Sequence, residues 1–425
     1  MKLRLSIICL ISLLMSFSLI AENEGGDIYY DNEISGESTQ IQVDQRVTSG
    51  QETFGQVPVD RSKILLKLTH SLDNPRGQID WFKKIYISGF LNVDLENQTK
   101  QDFHFKNSND ISVGGVKLNV DVDVNEWIDA HLGFFYSDDA DSYYPTAMHK
   151  DCDHRQIDAE EAYITFVNFD KSSFYFRGGK QYLPFGRYHR YPILKSLTQQ
   201  LSEIRETALE AGFVDESGLY GSLYTFHGLN KEHQNRHERF NNYGACLGYE
   251  NLRHSMGFDI GVGYLYNMSD VGMIISALPM NHYRSRVGAF SGHIDVMSGP
   301  FDFMMRYVTA LRHFDQSDLG YQDDSVVRGA KPQAGMIGAG YTFKLKGRES
   351  KLKFGYQCSR EAYDVNPGAI LRLPFERLFA SYGVDVLEHV IVEFEFSRDH
   401  DYSVKHSGTG KYNHIATMRI KALLV

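Results

Sequence analysis

Past residue 21 the chain has no run of the 18 or so apolar residues that a membrane-crossing helix needs. Its mean hydropathy is only −0.35. Cysteine is scarce: of four, Cys9 lies in the first 21 residues, leaving Cys152, Cys246 and Cys358 far apart. An odd, dispersed set argues against a disulfide framework and allows one bridge or none. Positive charge is also in deficit, with 44 Lys and Arg against 54 Asp and Glu, so nucleic acid is not an expected partner. Neither Walker nor Rossmann glycine patterns occur in a strand-to-helix setting. Strand parity does not line up the Ser–His neighbours His254-Ser255 and His406-Ser407 as nucleophile and base on adjacent strands with a third group to orient the base, so no catalytic role and no cofactor is expected.

What is present starts with Lys2 and Arg4, an apolar run over 5–21, and then Glu22, Asn23 and Glu24. This is the layout of a secretory signal peptide over 1–21, although Leu19 is large for the third position before the cut. Cleavage removes two positive charges and takes the formal charge from −10 to about −12. Residues 22–80 are expected to form a flexible periplasmic segment, because 22–56 is rich in Gly, Ser, Glu, Asp and Gln. Ile64, Leu65, Leu68 and Leu72 stand at helical spacing and allow a short amphipathic helix before the turn at Asn74-Pro75-Arg76-Gly77.

From there on apolar and polar residues alternate. Residues 117–124 read K-L-N-V-D-V-D-V, which puts Leu118, Val120, Val122 and Val124 on one face and Lys117, Asn119, Asp121 and Asp123 on the other. Sixteen such segments are expected, at 85–95, 111–124, 128–137, 157–167, 174–180, 207–213, 219–227, 242–250, 256–266, 286–297, 301–309, 334–346, 351–357, 376–386, 390–397 and 414–424. Seven connectors are short and eight are long, in strict alternation. A transmembrane antiparallel up-and-down β-barrel over 81–425 requires this, with short periplasmic turns, long extracellular loops and both termini in the periplasm. A soluble sandwich also alternates but does not predict this loop asymmetry. The 27 Phe and 26 Tyr suit interfacial girdles against outer-membrane lipid, although the last strand ends on Val425 rather than an aromatic residue.

A charge on the lipid face costs roughly 2–4 kcal/mol at the midplane for Lys or Arg, so the charged face is the wet one. Strand parity therefore sends Lys117, Arg177, Arg306, Lys344, Arg377, Arg419 and Lys421 to the lumen. It also sends Asp94, Asp121, Asp123, Asp129, Asp302, Asp385, Glu393 and Glu395, and such mixed signs favour cross-strand ion pairs over strong anion selectivity. The connector 182–207 is long enough to fold inward as a constriction. Its Arg187, His189, Arg190 and Lys195 are candidate contacts for an anionic solute, opposed by Glu203 and Glu206. His149, Cys152 and His154, and separately His227, His233 and His237, match no metal-ligand template, so no metal is expected.

Two segments carry a resemblance. Residues 157–166, I-D-A-E-E-A-Y-I-T-F, and 174–186, F-Y-F-R-G-G-K-Q-Y-L-P-F-G, continue through Pro192, 197–206 and E-A-G-F at 210–213. Together they resemble the LbtU-type siderophore porins, outer-membrane barrels linked to siderophore uptake in intracellular gammaproteobacteria. A looser likeness to phosphate-selective porins covers the same E-A-Y and G-K-Q segments. The resemblance implies uptake of a ferric siderophore, with an anionic or general solute porin as the alternative and an adhesion or structural barrel as the reading of another class. Residues 22–80 are too few and too polar for the folded plug of a 22-strand receptor, so a siderophore would pass without one. A homo-oligomer is compatible with all of these readings.

Overall fold

The computed structural model describes residues 85–99, 103, 107–137, 157–188, 193–228, 231–232, 240–251, 256–278, 282–366 and 371–424. The expected signal peptide, the 22–80 segment with its helix, Cys152, His149, His154, His233 and His237 lie outside them.

Sixteen strands close into one antiparallel barrel. They are β1 (Ile85–Gln98), β2 (Ser108–Asn125), β3 (Ile128–Tyr136), β4 (Asp158–Val167), β5 (Phe174–Tyr182), β6 (Arg205–Val214), β7 (Leu219–Phe226) and β8 (Asn242–Asn251). The second half comprises β9 (Met256–Leu265), β10 (Ala289–Ser298), β11 (Phe301–Ala310), β12 (Gln333–Leu345), β13 (Arg348–Arg360), β14 (Glu376–Leu387), β15 (Val390–His400) and β16 (Tyr412–Leu424). Each pairs with its sequence neighbours, and β1 pairs with β16 from Gly89↔Leu424 to Gln98↔Ile415, which leaves no free edge. All sixteen expected strands are present. Several run further at the long-loop end than alternation indicated, β2 from Ser108 and β6 from Arg205. Two start later: β4 at Asp158 rather than 157, and β10 at Ala289 rather than 286, because the Val287 carbonyl accepts from Met268 N of the preceding loop at 2.7 Å.

The alternation sorts as a lipid-spanning wall demands. Leu118, Ile260, Val262, Phe303, Met305 and Ile337 point outward and exposed, while the residues between them face in. Aromatic rings mark both outward rims: Trp127, Phe174, Phe301 and Tyr341 at the short-turn end, and Tyr243, Tyr307 and Tyr412 at the other. Turn chemistry fixes register. Between Leu345 and Arg348 the two-residue loop has φ 51° at Lys346 and 79° at Gly347, the doubly left-handed turn whose twist matches a hairpin.

Two local features account for the composition of the 157–186 region. At β3–β4 the register slips between Gly133↔Glu161 and Phe134↔Ala159, so Glu160 is an extra, bulged residue. Two consecutive glutamates thereby both turn inward, reaching Lys117 Nζ at 3.1 and 3.2 Å. On β5, Gly179 has φ 141°, and a Cβ there would stand 2.3 Å from the Ala162 carbonyl oxygen, so the second glycine of G-G-K is required by the wall itself.

The long-loop end holds an apolar core that the sequence reading did not anticipate. Leu183, Phe185, Leu197 and Leu201 of the β5–β6 loop pack with Met268, Val271, Ile274 and Leu278 of the β9–β10 loop, and with Phe314, Leu319, Tyr363, Leu373 and Tyr402 of the last three long loops. A short helix, Gly272–Ala277, carries part of it.

Candidate functional site

The described residues of the β5–β6 connector, 183–188 and 193–204, lie inside the barrel. Its backbone leaves β5 at Leu183 and returns through a four-residue helix, Leu197–Gln200, whose N-cap Ser196 accepts from Gln199 N at 3.1 Å. Tyr188 staples the two limbs together: its hydroxyl donates to the Ser202 carbonyl at 2.6 Å and accepts from Ile204 N at 3.2 Å. Gly186 permits this approach, since a Cβ there would meet Ser202 Oγ at 2.6 Å.

Inward-facing side chains of six strands then hold the loop. Near its start Arg187 pairs with Asp259 of β9 and donates to the Tyr220 hydroxyl of β7 at 3.2 Å and to His293 Nε2 of β10 at 3.2 Å. Tyr220 completes the cluster by donating to Asp259 at 2.7 Å. Further on, Ile193 N donates to Glu395 of β15, Leu197 N to Gln357 Oε1 of β13 at 2.7 Å, and Arg377 Nη1 of β14 to the Lys195 carbonyl at 3.2 Å. From above, Gly272 N of the β9–β10 loop donates to the Glu203 carbonyl at 3.1 Å. An internal loop anchored to the wall on two sides narrows the cross-section available to a solute.

The candidate cations fall into three groups. Arg377 and Arg419 face the lumen in bidentate pairs with Asp399 and Asp94, and Arg306 meets both oxygens of Asp295 through Nη2, all at 2.6–2.9 Å. Arg187 is paired with Asp259, and Lys195 with Glu203 at 2.9 Å. Arg177 and Lys421 are held by rings: Arg177 lies 4.7 Å from the centre of Tyr163 and 3.8 Å from Glu210, while Lys421 stands 4.9 Å from that of Phe90. His189 and Arg190 lie outside the described residues. The sites expected from parity are thus not gathered into one cationic patch. Each described arginine of the candidate set is paired with a carboxylate where it stands, and Lys351–Asp302 and Lys353–Glu393 extend the same pattern at 2.7 and 3.8 Å.

Sequence reading did not find Tyr220, Asp259 and His293, which receive Arg187. Their spacing of 39 and 34 residues carries no local signal. His406 and Ser407 do not address each other; His406 Nδ1 lies 3.1 Å from the Gln322 carbonyl and Ser407 donates to Gln322 Oε1 at 2.6 Å. Cys246 and Cys358 are free thiols. Among the described residues no group of His, Cys, Asp and Glu is arranged to hold a metal ion.

No protein-family model matches the chain. It is 27% identical over 323 residues to a UPF0422 protein of Coxiella burnetii, covering 74% of this chain and 65% of that one. It is 23% identical over 353 residues to the UPF0422 protein lpl2888 of Legionella pneumophila, covering 75% and 61%. The chain thus spans less than two thirds of the length of these curated relatives. Among solved structures it is similar to the outer-membrane channel DcaP of Acinetobacter baumannii, with TM-score 0.51, 10% identity and coverage of 80% and 97%. It is likewise similar to OprB of Pseudomonas putida, with TM-score 0.52, 8% identity and coverage of 80% and 94%. A third is OmpF of Salmonella typhi, solved with daunomycin, at TM-score 0.50, 12% identity and coverage of 80% and 98%. These likenesses are to the porin fold.

Proposed function

We propose that this chain is an outer-membrane porin, inserted with its long loops outside and its termini in the periplasm, and that its solute is a ferric siderophore taken up without a folded plug. The observation that carries the porin reading is the closed sixteen-strand wall with the β5–β6 loop bonded inside it. A structural barrel has no need of a loop that crosses its own lumen. The siderophore reading rests on the segments at 157–166 and 174–186, which resemble the LbtU-type siderophore porins. Lys421 and the loop residues His189, Arg190 and Lys195 are the cations proposed to meet the solute; Arg177, Arg187, Arg306, Arg377 and Arg419 serve it indirectly by holding the wall and loop in shape.

A second reading follows from those ion pairs. A lumen whose arginines are matched by carboxylates favours solutes by size over sign, which is the behaviour of a general solute porin. Two measurements separate the readings. Planar-bilayer conductance with potassium chloride tests for a pore, and its absence would leave only a structural or adhesive barrel. Uptake of radiolabelled ferric siderophore by iron-starved cells with and without the gene tests the cargo; unchanged uptake, with conductance retained, would leave the general porin.

A further inference from the structure

The arginines of the lumen and those of the outer rim are treated differently. Inside, Arg306, Arg377 and Arg419 each grip a carboxylate. Two arginines near the long-loop end point the other way. On β13, Gln357 and Ser359 face in, toward Leu197 N and the Tyr402 hydroxyl, so Arg360 faces out. On β15, Asp399 faces in to take Arg377, so Arg398 faces out. Both are exposed.

Neither has a carboxylate partner among the described residues. Arg360 donates only to its neighbour's carbonyl, that of Ser359, at 2.9 Å, and its guanidinium lies 3.9 Å from the centre of the Phe375 ring. The guanidinium of Arg398 lies 4.1 Å from the centre of Tyr412. The same rim carries His400, stacked on Tyr412 at 4.4 Å, and His414, stacked on Phe396 at 5.9 Å. Glu376 is an acid of this rim; it accepts from the Tyr356 hydroxyl at 2.9 Å and stands 4.0 Å from His400 Nδ1.

A lipid-facing arginine is tolerated only where the hydrocarbon gives way to headgroups. At that depth its natural counter-ion is a phosphate, which a guanidinium can take through two parallel hydrogen bonds. Each ring lies against its guanidinium, and beyond the bond from Arg360 to the Ser359 carbonyl no described residue accepts from either one. We propose that the outward face of β13–β16 at its long-loop end binds the phosphorylated headgroup of an outer-leaflet lipid, with Arg360 and Arg398 as the phosphate contacts. This rests on the outer-membrane part of the reading above and is independent of what passes through the lumen.

The test uses the chain folded in dodecyl maltoside micelles, bisphosphorylated lipid A as probe, and native mass spectrometry to count bound lipid. The expected result is retained adducts on the wild type, weakened about tenfold by the pair R360Q and R398Q, and absent with lipid A stripped of phosphate. Heat-modifiable gel migration and bilayer conductance, unchanged in the double variant, show that the barrel is intact. Equal binding by wild type and double variant, equal binding of dephosphorylated lipid, or full displacement by millimolar inorganic phosphate would each overturn the proposal while leaving the porin reading untouched.

Discussion

Arg419 and Asp94 form a bidentate ion pair at 2.7 and 2.6 Å, although 325 residues separate them. They stand directly opposite each other where β16 meets β1, so the pair fastens the seam at which the barrel closes. Both side chains are largely buried. Removing one member strands a buried charge, which costs about 3–5 kcal/mol, whereas replacing both with apolar groups of similar volume costs much less. Arg419→Ala and Asp94→Asn should each lower stability by about that amount in urea titrations from phosphatidylcholine vesicles. The combined Arg419→Met, Asp94→Leu variant should recover most of it. Additive losses would mean that the seam gains nothing from the pairing.

The Arg187 cluster should govern current steadiness. Arg187 ties the first limb of the internal loop to β7, β9 and β10 at once, beside a bond from Ser291 Oγ of β10 to the Phe185 carbonyl. Asp259→Asn or Arg187→Met removes one partner of a buried pair, a change of about 3–5 kcal/mol that exceeds the cost of detaching a short loop limb. Single-channel recordings should then show frequent transient closures, and the double replacement should be quieter than either single one. Steady currents in both single variants would place the loop's anchorage elsewhere, at Glu395, Gln357 and Arg377.

The apolar core at the long-loop end predicts a stability separate from that of the wall. Ile274 is fully buried among loop residues and touches no lipid. Ile274→Ala should cost about 2–5 kcal/mol locally, opening the loops to protease while the barrel keeps its heat-modifiable migration. Loss of the folded barrel in this variant would show that cap and wall form one cooperative unit.

Much of the wall was legible because a strand with lipid on one side and water on the other can carry only a period of two, as at Leu118, Val120 and Val122. The strict alternation of connectors then fixed strand number and closure. The loop interior was less legible. Val271, Ile274, Ile275 and Leu278 do stand at helical spacing, which is the signal that the 266–288 connector is more than a polar loop. The ion pairs had no such signal. Parity placed Arg419 and Asp94 on the same face, but which acid meets which base depends on register, and register is set by turns and bulges such as the one at Glu160.

Mild acid should tighten the outer loops. Asp318 accepts from Arg284 N at 2.9 Å and joins the β9–β10 loop to the next; Asp364 accepts from Gly320 N at 2.9 Å and joins the sixth long loop to the seventh. Burial raises both carboxyls above their ordinary value, more than their backbone hydrogen bonds lower them. A carboxyl whose folded value is raised binds its proton more tightly folded than unfolded. These loops therefore gain stability as pH falls from neutral through that raised value, and the gain is complete once pH drops below the ordinary value of 3.8. Amide exchange over 284–285 and 319–320, corrected for intrinsic rates, should slow as pH falls from neutral toward 3.8 relative to amides in the wall. In Asp318→Asn and Asp364→Asn that pH dependence should vanish, because the amide keeps the acceptor oxygen and has no proton to gain. Protection that weakens with acid in the wild type would reverse the sign and show that these carboxylates are stabilised as anions.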